Sequence, residues 1–180
     1  MKTFYLGGAR SGKSSLATQR ARQEAEDVCC IVTATESDGE MSARIAAHRK
    51  QRPLSWRVVE EPVKLGAALR AAGESSLILI DCLTLWTANC LWPADAAPAE
   101  PAHHEIWNAE RESFLEALRD CDSRVIVVSN DVGSGIIPAN AASRVFVDEQ
   151  GWLNQSVAAI CDEVYHAVAG IGVRIKPGSL

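Results

Sequence analysis

Positive charge is in short supply in this chain. Its 18 Lys and Arg are outnumbered by 23 Asp and Glu, for a formal net charge of -5. Nucleic-acid backbones are neutralised by an excess of Lys and Arg, so general nucleic-acid binding is not expected. Long apolar runs are missing too. Nothing approaches the roughly 18 residues that a membrane-spanning helix needs, so no membrane span is expected. The opening MKTFYLGGAR reaches Gly7 and Arg10 too soon for a signal peptide's apolar region, and the expected compartment is the cytoplasm. The six cysteines, at 29, 30, 82, 90, 121 and 161, form no CxxC pair and mostly sit in apolar runs. They read as reduced, buried small hydrophobes, not as a metal site. There is no internal repeat, and the only biased tract is a Pro/Ala stretch, WPADAAPAEPAHH (92–104).

What remains is an ordinary globular composition: 180 residues, 47% hydrophobic and 23% charged. That is enough for one domain with a real core, and the Pro/Ala stretch is too short to divide it, so residues 1–180 are read as a single domain. Short apolar runs alternate with helical patterns. TFYL (3–6), VCCIVT (28–33), RVVE (57–60), LILID (77–81) and RVIVVS (124–129) read as strands. Helices are expected over 12–26, 39–49, 62–72, 83–91, 105–119 and 153–161, with DVGSGIIP (131–138) as a loop. EVYHAVAG followed by IGVRIK predicts an antiparallel hairpin turning at glycine. Fully apolar strands alternating with helices imply a mostly parallel sheet covered on both faces.

The first strand runs into Gly7-Gly8-Ala9-Arg10-Ser11-Gly12-Lys13-Ser14, which fits GxxxxGK[ST] at every fixed position, between a strand and a helix as the motif requires. Glycines let the backbone wrap closely around phosphates, and successive N–H groups and the helix N-terminus point at the anion. Lys13 would reach the β and γ phosphates, and the Ser14 hydroxyl would coordinate Mg2+. Such a site needs an acid at the end of a neighbouring buried strand. Asp81, closing LILID, is that candidate for Mg2+, a reading favoured over, though compatible with, a cap on the following helix. These features predict nucleotide and phosphoryl chemistry without separating a kinase from an ATPase, a GTPase or a motor.

The second candidate lies in ARIAAHRKQRPLSW, residues 43–56. Met41, Ile45 and His48 share the edge of one helical stripe, and Arg44 and Arg52 each stand four residues from His48. Nearby cations push an imidazole toward its neutral, nucleophilic form, and the same arginines suit phosphate oxygens. Taken alone, the segment reads first as a solvated basic helix and only second as a nucleophile poised for the α-phosphorus of a nucleotide.

GGARSGKS, EMSARIAAHRKQRPLSW, Glu60, DCLTLW, VVSNDVGSGIIP and RVFVDEQGWLNQSVAAICDEV together resemble the bifunctional adenosylcobinamide kinase / adenosylcobinamide-phosphate guanylyltransferase family of cobalamin biosynthesis. The resemblance runs in order from Leu6 to Lys176. It implies a P-loop NTPase, RecA-like sheet in a homotrimer. It also implies two reactions: phosphorylation of adenosylcobinamide by ATP or GTP, then GMP transfer from GTP to adenosylcobinamide phosphate through a guanylylated histidine, which maps to His48. The family's nucleotide contacts map to Gly7 through Ser14, to Val32, Thr33 and Ala34, to Arg49, Lys50, Gln51 and Arg52, and to Glu60 and Asp81. Three stretches depart from the pattern. Asp131 stands where Glu is usual, CIVTA replaces YIATA, and Ala47 precedes His48 where some relatives have a second histidine.

Elsewhere, His103 and His104 read as solvated loop residues and His166 as a structural histidine in a strand. Trp86, Trp92, Trp107 and Trp152 read as core or interface. The Gly-rich loop DVGSGIIP follows a buried strand, where open α/β sheets place ligands, so a substrate or subunit contact is expected there.

Overall fold

The structure, a computed structural model, describes residues 1–34, 52–93 and 103–177. Seven strands form one sheet: β1 (Lys2–Gly7), β2 (Val28–Val32), β3 (Arg57–Glu60), β4 (Leu77–Asp81), β5 (Arg124–Asn130), β6 (Glu163–Val168) and β7 (Ile171–Lys176). Their spatial order is β3-β2-β4-β5-β1-β6-β7. Every pairing is parallel except β6 with β7, the expected antiparallel hairpin. Five helices are described: α1 (Lys13–Glu24), α2 (Leu65–Ala71), α3 (Leu83–Leu91), α4 (His104–Asp120) and α5 (Ala141–Ile160). The helix expected over 39–49 lies outside the described residues.

Strand alternation divides the core between the two faces. Ile78 and Ile80 of β4 and Val125 and Val127 of β5 face Trp86, Trp107 and Phe114 of α3 and α4. Trp86 meets the other two rings edge-on or tilted, at centroid distances of 5.3 and 5.2 Å. Leu77, Leu79, Ile126 and Val128 face the opposite way, onto Ala17 and Ala21 of α1. Two alanines let α1 approach the sheet closely and bring its N-terminus to the end of β1. All six cysteines are free. Burial holds the Cys30, Cys90 and Cys161 thiols at about 12, the behaviour of inert packing groups.

Two helix boundaries differ from expectation. The helix expected from 62 starts at Leu65, because the Glu61 carboxylate accepts from the Val63 and Lys64 N–H groups (2.9 and 2.8 Å) and holds a turn there. The helix expected over 153–161 begins at Ala141, where the Asn140 side chain caps it by accepting from Ser143 N at 2.7 Å. Its first half hides from hydrophobic periodicity because its inner face buries Glu149 and Gln150. Trp107 Nε1 and Arg111 donate to Glu149, while Gln150 Nε2 donates to Ser129 Oγ. Buried polar groups are tolerated when so paired, but a period count scores them as exposed. Of the tryptophans, Trp86 and Trp107 are core, whereas Trp152 is 56% exposed on α5.

Candidate active site

Six parallel strands end at one edge of the sheet, the edge where open α/β folds bind ligands. β1 delivers Gly7 and the phosphate loop there. The loop closes on Gly12, whose φ of 95° lies in the left-handed region. A Cβ on Gly12 would meet Gly170 Cα at 2.8 Å. Gly170 belongs to the β6–β7 turn, and its N–H donates to Ser11 O at 2.8 Å. The C-terminal hairpin therefore braces the loop from behind, a contact between residues 159 positions apart that no local pattern announces. Gly12→Ala combines backbone strain of roughly 1–3 kcal/mol with this clash. The expected outcome is a lower melting temperature and weaker nucleotide binding, measured by thermal denaturation with and without nucleotide.

Lys13 opens α1 and is only 8% exposed. Its Nζ donates to Gly8 O at 3.1 Å, inside the loop. Burial pushes the ammonium below the ordinary lysine value, opposed by the nearby Cys82 and Asp81. Ser14 Oγ donates to Asp81 Oδ1 at 3.3 Å. Arg52 Nη2 stands 3.2 Å from Asp81 Oδ2, and both side chains are largely buried. Thus Lys13, Ser14, Asp81 and Arg52 meet at one point. Hard oxygen donors from one hydroxyl and one carboxylate, beside a phosphate cradle, suit Mg2+, which binds through few protein ligands plus phosphates and water.

Thr33 fastens β2 to this point. Its Oγ1 donates to Cys82 O (2.6 Å) and accepts from Cys82 N (3.1 Å), and Asn89 Nδ2 donates to Thr33 O at 2.8 Å. Val32 is buried and Ala34 partly so. Glu60 pairs with Val32 at the end of β3, four strands from the phosphate loop. Gly8 and Arg10 lie along the loop, with Arg10 exposed. His48, Arg49, Lys50 and Gln51 lie outside the described residues. His166 is partly exposed, and its Nε2 is 3.9 Å from Asp131 Oδ2, an ion pair only when protonated. Sequence reasoning passed over Gly170 and Asn130. Asn130 closes the apolar run of β5 just as Asp81 closes β4, and that shared position was the available signal.

A parallel sheet in this strand order, with a phosphate loop after β1 and an acid after β4, defines a P-loop nucleotide-binding protein of the RecA-like kind. A type III secretion system ATPase shares the fold, with a TM-score of 0.51 and 14% identity over 96% of this chain and 56% of that one. The chain belongs to the cobinamide kinase / cobinamide phosphate guanyltransferase family, whose model matches residues 3–175. It is 44% identical over 177 residues to the bifunctional adenosylcobalamin biosynthesis protein CobP of Pseudomonas aeruginosa, covering 98% of each chain. It is 38% identical over 182 residues to the protein CobU of Escherichia coli, covering 98% of this chain and all of that one.

Proposed function

We propose that this chain catalyses two successive steps of cobalamin biosynthesis at one nucleotide site. The first is phosphorylation of the aminopropanol hydroxyl of adenosylcobinamide by ATP or GTP. The second is GMP transfer from GTP to the resulting phosphate, giving adenosylcobinamide-GDP and pyrophosphate. The observation that carries this reading is the contact of Arg52 with Asp81 beside Ser14. Arg52 belongs to the same basic stretch of sequence as His48, four positions on, so its contact with Asp81 supports assigning that stretch to the nucleotide site.

The two reactions divide the residues. In the first, the loop amides and Lys13 hold the β and γ phosphates while the alcohol oxygen attacks the γ-phosphorus. In the second, a neutral His48 nitrogen attacks the α-phosphorus and the α–β P–O bond breaks. Lys13 and the loop amides stabilise the departing pyrophosphate. An oxygen of adenosylcobinamide phosphate then displaces the histidine, breaking the N–P bond. A covalent intermediate divides one hard step into two easier ones. Arg49, Lys50, Gln51 and Arg52 supply positive charge and donors to the phosphates. Val32, Thr33, Ala34 and Glu60 line the path for the rest of the nucleotide. Mg2+, held by Ser14 and Asp81, would neutralise charge developing on the phosphates.

Incubation with GTP labelled at the α-phosphate tests the reading. Acid-labile, alkali-stable label at His48 is expected. Protein that never acquires label, yet binds GTP, would point to a regulatory P-loop module instead.

The reading includes a single-domain subunit, a cytoplasmic location and a homotrimer. Six free cysteines support a reducing compartment. Ile171, Val173 and Ile175 alternate along the edge strand β7 and are 67, 52 and 52% exposed, which supports burial against another copy. Light scattering on the eluting protein is expected to give three times the 19.4 kDa chain mass. A monomer at micromolar concentration would refute the trimer.

A further inference from the structure

Between the phosphate loop and Asp81 runs a single strand, β5, and it ends on Asn130. In register, Asn130 pairs with Gly7 of β1, while Val128, two residues earlier, pairs with Asp81 of β4. Neighbouring strands are about 4.8 Å apart, so Asn130 stands between the start of the loop and the acid. Val128 packs on the α1 face with Ala17. Alternation places the Asn130 side chain on that same face, the side on which Lys13 and Ser14 lie.

The residue is clamped by its backbone. Its N–H donates to Thr84 Oγ1 at 2.8 Å, and its C=O accepts from Asn154 Nδ2 at 3.0 Å. Asn154 is fixed in turn, its Oδ1 accepting from Ser129 Oγ and Gln150 Nε2. Yet the side-chain Oδ1 of Asn130 is buried with no hydrogen-bond partner among the described residues. A buried acceptor left unmade is costly and uncommon. Here it sits on a rigidly held residue at the reacting end of the sheet. None of the described residues donates to it. Phosphate oxygens cannot fill that role, because they accept. A hydroxyl can.

We propose that Asn130 Oδ1 accepts a hydrogen bond from the alcohol that attacks the γ-phosphorus and aligns that oxygen with the bond to be broken. The inference rests on the kinase half of the proposed function. The new O–P bond forms at the γ-phosphorus. The β–γ bridging P–O bond breaks, and its electron pair leaves on the nucleoside diphosphate. The amide is no base, so the hydroxyl proton passes to an oxygen of the transferred phosphoryl group. Asn130 serves orientation, the larger part of catalysis in phosphoryl transfer. The two nucleophiles of GMP transfer are the lone pair of the His48 nitrogen and then a phosphate oxygen, mostly without a proton at neutral pH, and neither is a hydroxyl. Asn130 has nothing to accept there, so its role is specific to one step.

The test uses the full chain with Asn130→Ala and the volume-keeping Asn130→Leu. Four quantities are compared with the parent: cobinamide phosphorylation, GMP transfer to supplied cobinamide phosphate, nucleotide Kd and melting temperature. Phosphorylation kcat is expected to fall by about 10²-fold, the scale of a misaligned reactant. GMP transfer and Kd should stay within roughly threefold. The melting temperature should hold or rise, because an unpaired buried acceptor has been removed. Phosphorylation within roughly threefold of the parent in both variants overturns the inference. So does equal loss of both reactions with a lowered melting temperature, the mark of a structural residue. If the parent protein phosphorylates no cobinamide, the proposed function fails instead. The role of Asn130 is then decided on γ-phosphate hydrolysis, where water is the O–H nucleophile: slowing by a similar factor sustains it, and unchanged hydrolysis overturns it.

Discussion

A His48→Ala variant loses GMP transfer by at least about 10³-fold in kcat, on the scale seen when a covalent nucleophile is removed, and keeps most of its phosphorylation of cobinamide. The division follows from where each reaction occurs on the triphosphate. In the proposed mechanism, phosphorylation breaks the bond to the γ-phosphorus, with Lys13 and the loop amides as the holding groups and no part for His48. GMP transfer breaks the bond to the α-phosphorus and needs a group to carry the nucleotide between substrates. The measurement is a pair of assays on one preparation, with adenosylcobinamide for the first reaction and its phosphate for the second. The α-phosphate label should disappear from the protein with the second activity. Loss of both reactions to the same extent, with the fold intact, would sink the division of roles.

Lys13→Ala should behave in the opposite manner and lower both reactions together, each by about 10² to 10³-fold, the range for removing one preorganised electrostatic contact. Both reactions form negative charge on phosphate oxygens beside the loop, and Lys13 is the cation that opens α1 there. Its ammonium is nearly excluded from solvent and rests on Gly8 O at 3.1 Å. An arriving triphosphate offers it a better partner than a neutral carbonyl, since charge-assisted contacts are the stronger kind. Parallel assays and a nucleotide Kd check the expectation. A variant that loses one reaction and retains the other would show that the two steps do not share the loop. His48→Ala and Lys13→Ala thus form a contrast in which one separates the activities and the other does not.

Much of this was legible in the sequence. The loop at Gly7–Ser14 is read from local composition because its chemistry is local: eight consecutive residues supply the turn, the amides, the lysine and the hydroxyl. Asp81 is legible because a buried strand ending on an acid is an anomaly in an apolar run. The central strands β2, β4 and β5 were identified because residues buried on both faces read as unbroken apolar runs. The first half of α5 was not legible, because Glu149 and Gln150 are buried polar residues whose partners, on α4 and β5, are remote in the chain.

What the sequence determined by itself is therefore the strands and most of the described helices, the nucleotide chemistry and, through resemblance, the family. What only the tertiary structure decided is adjacency. Strand order places β5, and with it Asn130, between the loop and Asp81. Packing brings Arg52 onto Asp81 across 29 positions of sequence, and the hairpin turn at Gly170 onto the back of the loop. These contacts depend on which strands pair and in what register. That choice is made by burial of both sheet faces at once, a property of the whole chain that no single segment encodes.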